Sequence, residues 1–137
     1  MDHLRLVYED DVLKLFWDME ARYHIAEWHG FAKAERLRNA AHACVYASRE
    51  RRSRLWLADI ANFSVVDADD QDWIALRFYP LLVENGLRHM AVVQPIELVA
   101  QLSARRVNAA YGEAGAIEFA YHGSRAEAAH WLAKRCD

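Results

Sequence analysis

The stretch Leu55–Ile74, LWLADIANFSVVDADDQDWI, constrains this chain more than any other. Its apolar run Leu55-Trp56-Leu57-Ala58 stops at Asp59, and its length and side chains suit a strand buried on both faces. A short loop holding Asn62 and Ser64 follows, then Val65-Val66, then Asp67-Ala68-Asp69-Asp70 ahead of an amphipathic run from Trp73. Carboxylates gather in this way at a helix start, where free N–H groups and the positive end of the dipole favour them. A buried strand that feeds a helix directly is the kernel of an α/β domain.

The flanking sequence extends that kernel in both directions. Leu4–Tyr8 and Val12–Trp17 read as a hairpin across Glu9-Asp10-Asp11, and Tyr23–His29 as a third strand closed by Gly30. Met19–Arg22 suits either a continuation of the second strand or a longer turn. From Ala32 the period changes: Ala34, Leu37, Ala41, Cys44, Val45 and Ser48 share one helix face. Arg49, Arg51, Arg52 and Arg54 close that helix, where solvated charge complementing the dipole explains them better than an anion site.

Beyond the central strand, Ile74, Phe78, Leu81 and Leu82 predict an apolar helical stripe that must kink or restart at Pro80 and stop at Asn85-Gly86. Leu87–Val93 reads as another buried strand. Pro95 suits a first helical turn, with Ile96, Val99, Ala100, Ser103 and Val107 facing the core and a loop over Tyr111–Gly115. Ile117, Phe119 and Tyr121 alternate as an edge strand, and Ser124 with Glu127 forms a capping box for a last helix burying Ala128, Trp131 and Leu132. The predicted order is β-β-β-α-β-α-β-α-β-α, one domain over residues 1–137. It implies a mixed sheet with helices packed mainly on one face.

Several function classes fall away on composition. A net charge of −3 argues against general nucleic-acid or membrane-surface binding, and the apolar runs are too short to span a bilayer. The beginning MDHLRLVYEDD lacks the basic and apolar regions of a secretion signal, and Cys44 and Cys136 show neither metal spacing nor a disulfide framework. A cytoplasmic protein with reduced thiols is the expectation. Five well-separated glycines leave no phosphate-cradling loop, and Ser64 has no nucleophile elbow around it. His24, Glu27 and His29 have the residue types of a metal trio, yet His24 and His29 point to opposite faces of a strand. Capping and solvation account for Asp59, Asp67, Asp69, Asp70 and Asp72 better than a bound cation does. No catalytic residue, metal or cofactor is expected.

The elements Trp56-Leu57-Ala58-Asp59, Val66–Ile74 (VDADDQDWI), Phe78-Tyr79-Pro80 and Gly86–Val93 resemble the STAS domain of bacterial anti-sigma-factor antagonists. More closely, nearly the whole chain is similar to the SpoIIAA-like, or STAS/SEC14, proteins. The resemblance implies a STAS-type fold and a switch in which a serine after an Asp is phosphorylated by a partner kinase. Those two positions fall on Asp67 and Ala68, so the resemblance also implies that the serine switch is absent, since alanine has no hydroxyl.

The expectation is therefore a non-enzymatic regulatory or interaction domain. It would bind a protein partner or a second copy of itself through Asp59, Asn62, Ser64, Asp67, Ala68, Asp69, Asp70 and Trp73. The alternative is a small-ligand or lipid-binding module with an apolar pocket between the sheet and the helices starting near Asp67 and Pro95.

Overall fold

The computed structural model describes residues 3–113 and 115–135, so Cys136 and the Ala114 position of the expected 111–115 loop lie outside the described residues. All described strands join one six-stranded sheet in the order β1-β2-β3-β4-β5-β6. These are β1 (Leu4–Glu9), β2 (Leu13–Asp18), β3 (Tyr23–Gly30), β4 (Leu55–Phe63), β5 (His89–Val93) and β6 (Glu118–His122). The first two pairings are antiparallel and the last three parallel.

Local chemistry explains the antiparallel half. Asp10 Oδ1 accepts from the Val12 and Leu13 N–H groups at 2.8 and 2.9 Å, closing the first hairpin as an Asx turn. Asp18 Oδ1 does the same for Glu20 and Ala21, so Met19–Arg22 is a turn rather than more strand.

The parallel half explains where the helices go. The strand order never reverses from β3 to β6, and right-handed crossovers then place every connecting helix on the same face. That layer consists of α1 (Ala34–Glu50), a composite helix, and α4 (Leu98–Glu113). The composite helix runs as α2 (Ala68–Trp73), one π turn (Ile74–Phe78) and α3 (Tyr79–Glu84). Pro80, which lacks an N–H, sits in the first turn of α3, so the expected break appears as a π turn and restart. α5 (Arg125–Ala133) follows the last strand and is free of that rule; it covers part of the opposite face.

The sheet therefore divides two cores. Leu13, Leu15, Ala26, Trp28, Trp56, Ala58, Met90 and Val92 face the helical layer. Tyr23, Ile25, Leu55, Leu57, Ala91 and Val93 pack toward Ala128 and Leu132 of α5. The two-residue alternation separates them, as predicted along β3.

Two elements differ from expectation, one of them at both ends. β4 runs on to Phe63 because β3 continues beside it past a bulge between Glu27 and His29, with Gly30 opposite Phe63. Asp59 therefore sits inside the strand, not at its end. Pro95 precedes α4 instead of opening it: Gln101 Nε2 donates to the Pro95 carbonyl at 2.8 Å, and the helix starts at Leu98. Consequently only Ala100, Ser103 and Val107 of the expected stripe are buried, while Ile96 and Val99 are exposed. α4 also continues through Tyr111 to Glu113, in place of the expected loop.

Candidate functional site

The sheet splits the carboxylates of the central stretch. Asp59 belongs to the α5 side, where its Oδ2 accepts from Arg125 Nε at 2.8 Å. Arg125, the first residue of α5, also pairs with Glu27, the residue opposite Asp59 on β3; Glu27 in turn holds His29 at 2.7 Å. One guanidinium thus ties α5 to two strands. Arg125→Met is expected to lower stability by on the order of 1–2 kcal/mol, since two partly buried carboxylates lose their counter-ion. Urea unfolding checks this, and a change below about 0.3 kcal/mol would dismiss the latch.

Asp70 is structural as well. It is 3 % exposed, and its Oδ2 accepts from the Ala34 N–H at 2.9 Å. Lys33 at the N-cap of α1 supplies no side-chain acceptor, so Asp70 reaches from another helix to cap α1. Arg38 stands 3.8 Å from its other oxygen. Asp67 holds the N-cap position of α2, but its carboxylate makes no capping bond, contrary to the expected side-chain cap. Asp67, Ala68, Asp69 and Asp72 are exposed at the start of α2, and so are Asn62 and Ser64 before it. Trp73 is half-buried: its ring stacks on Phe78 at 6.2 Å and lies 5.4 Å from the Arg38 guanidinium.

A cavity of about 100 Å³ opens between the sheet and the helical layer. Trp28, Trp56, Phe78 and Met90 contribute to its floor and walls, and Ser64, Val66, Pro95 and Ala100 line it from the loops and helix start beyond β4 and β5. Because the strand order has no reversal, a crevice of the usual α/β kind is missing, and the free space lies under the helices. Among the described residues, no charged side chain lines the cavity. Its polar groups are largely spoken for. Ser103 Oγ accepts from Gln71 Nε2 at 3.3 Å, and Tyr79 donates to Asn108 Oδ1 at 2.5 Å. Burial drives the Tyr79 phenol and the Cys44 thiol well above their ordinary pKa, keeping both neutral.

Beside the cavity, the start of α4 turns apolar side chains to solvent. Ile96 is 96 % exposed, Leu98 and Val99 are 66 % exposed, and Leu102 is 51 % exposed. Sequence reasoning missed this patch by assigning Ile96 and Val99 to the core. The signal is present in the chain: Pro95–Leu102 holds apolar residues at 95, 96, 98, 99, 100 and 102, more than one helix face can bury. Arg125 was missed because only the folded register brings it to Glu27 and Asp59.

Of the expected binding set, Asn62, Ser64, Asp67, Ala68, Asp69 and Trp73 lie around the α2 end of the molecule, with Asp70 beneath them and Asp59 on the far face. His24 and His29 stand on opposite faces, and among the described residues no three His, Cys, Asp or Glu side chains are placed to hold a metal ion. No described helix is long and apolar enough to cross a membrane.

No family model and no curated protein matches the chain. Among solved structures, the chain is similar to an uncharacterized protein of the DUF3478 family with a SpoIIAA-like fold from Shewanella loihica PV-4. The two share 18 % identity over 94 % of this chain and 91 % of that one, with a TM-score of 0.58. The fold of this chain is SpoIIAA-like.

Proposed function

We propose that this SpoIIAA-like fold serves as a non-enzymatic, cytoplasmic interaction domain whose α2–α4 end docks a protein partner. The exposed Ile96, Leu98, Val99 and Leu102 carry the reading, because a contiguous apolar patch on a small domain is a surface waiting to be covered. The exposed Asp67, Asp69 and Asp72 at the start of α2 supply orientation and encounter rate. Asp59 and Asp70 are excluded from the contact, being committed to Arg125 and to α1. Ala68 occupies the first position of α2, so docking is not gated by a phosphate there.

The test compares affinity purifications of the wild-type domain, Val99→Asp/Leu102→Asp, and Leu6→Asp, an exposed residue on β1. A protein retained by wild type and Leu6→Asp but lost from the double variant is expected. Identical retention by all three, with no self-association in sedimentation of the wild type, removes the reading.

The cavity favours a second reading, a small apolar ligand held between the sheet and the helices. Native mass spectrometry of gently purified protein then shows a bound adduct that Ala100→Leu excludes.

A further inference from the structure

We infer that the cavity under the helical layer takes an uncharged, largely apolar molecule bearing a carbonyl oxygen, which the Ser103 hydroxyl reads. The inference rests on the reading of the cavity as a ligand site and adds the chemical class of the ligand.

The walls set the body of the ligand. Trp28, Trp56, Phe78, Met90 and Val107 supply apolar surface, and among the described residues no charged side chain lines the space. Cations of the surrounding elements are placed elsewhere. Arg38 and Arg77 line an outer groove between α1 and the composite helix, together with Glu84. Arg105 donates to Gln94 Oε1 at 2.8 Å, and Arg36 pairs with Asp11. An ionised group drawn into the cavity would leave water without gaining a partner, a cost that an uncharged molecule avoids. The half-buried Ile60, Phe63, Val66 and Ile74 and the exposed Ser64 mark the open side, so a longer apolar body can extend outward there.

The polar groups set the head. Ser103, 5 % exposed, and the buried Asn108 both line the cavity from α4. The side-chain oxygen of each already accepts a hydrogen bond, Ser103 Oγ from Gln71 and Asn108 Oδ1 from Tyr79. Donors are left over. Among the described residues, the Ser103 hydroxyl hydrogen has no acceptor, and neither has the indole N–H of the buried Trp56, which lines the same space. Buried donors cost stability until an acceptor reaches them. A ketone or ester oxygen supplies one and brings no donor of its own. An alcohol, amide or amine would instead add an O–H or N–H to a wall whose side-chain oxygens are engaged.

The experiment is a heteronuclear NMR titration of the full chain with acetophenone, ethylbenzene and benzoate. These probes share a ring and carry, in turn, a carbonyl, no polar group and a charge. Acetophenone is expected to shift the Trp56 indole N–H resonance. Ser103→Ala is expected to weaken acetophenone about fivefold, the worth of one neutral hydrogen bond, and to leave ethylbenzene within about twofold of wild type. Alanine suits a helix, and Gln71 keeps its bond to the Val66 carbonyl, so the variant retains the fold. Equal effects of Ser103→Ala on the two neutral probes would overturn the carbonyl assignment; if Ala100→Leu still excludes both, the cavity remains a ligand site. Benzoate binding as tightly as acetophenone would overturn the uncharged class. Binding of the neutral probes that Ala100→Leu leaves intact would place them outside the cavity and overturn the inference. If no probe binds, the inference falls, and the ligand reading then stands or falls with the adduct sought by native mass spectrometry.

Discussion

Replacing Asp70 with alanine is expected to cost about 2 kcal/mol of folding stability, the largest effect of any acidic residue at the start of α2. Losing a helix cap alone removes roughly 1 kcal/mol. The remainder comes from Arg38, whose guanidinium stands 3.8 Å from the second oxygen of Asp70 and would lose its counter-charge. That share is modest because the Arg38 side chain is half-exposed and water screens it. Asp70→Asn keeps an oxygen for the Ala34 N–H and should lose about half as much. Asp69→Ala, one residue away and exposed, should stay within about 0.5 kcal/mol of wild type. Urea midpoints of the three variants measure this directly, and equal losses at 69 and 70 would contradict the cap. The comparison also bears on the proposed function: charge reversal at position 70 reports on folding, so the proposed contact must be probed at 67, 69 and 72.

The same neighbours show how much the chain discloses before it folds. The strand and helix order is legible because periods of two and of three-to-four residues are local properties, and because monotonic right-handed crossovers leave few ways to stack them. The helix stop at Asn85-Gly86 is legible for the same reason: Gly86 adopts φ 111°, which side chains avoid. Asp69 and Asp70 carry identical local signals, yet one faces solvent and the other caps a helix 36 residues earlier. Only the tertiary path of the composite helix distinguishes them. Asp59 reads as a strand end because its run of apolar residues stops there, whereas the ladder with β3 carries the strand on to Phe63. The exposed patch is hidden by its own chemistry. Ile96 and Val99 satisfy a buried-face pattern as well as any core residue, and the late start of α4 leaves them outside. The places where local pattern and structure part are thus the capping of α1 and the start of α4, where long-range geometry replaces local preference.

The stability of the domain is expected to fall by about 3 kcal/mol between pH 7 and pH 4 through one buried histidine. His24 is 1 % exposed, lies between the rings of Trp17 at 4.7 Å and Trp56 at 5.1 Å, and leaves Nε2 without a hydrogen-bond partner. Burial, reinforced by the positive charge of Arg51, lowers its pKa from 6.5 to about 4. In the unfolded chain the imidazole takes a proton near pH 6.5, and in the folded one only near pH 4. Between those values the unfolded state binds more protons, so stability is complete above pH 6.5 and drains away as pH falls toward 4. Each tenfold difference in proton affinity between the two states is worth about 1.4 kcal/mol, which sets the size of the loss. Carboxylates titrate in the same region, so a difference measurement isolates the histidine. Urea unfolding of wild type and His24→Leu at pH 7, 6, 5 and 4 should give curves that diverge by about 3 kcal/mol, the variant being the flatter. Leucine removes the proton site and the orphaned nitrogen together while remaining apolar between the two tryptophans. Parallel curves would mean that His24 accepts its proton in place, with Trp17 and Trp56 opening to water, and would overturn the burial argument.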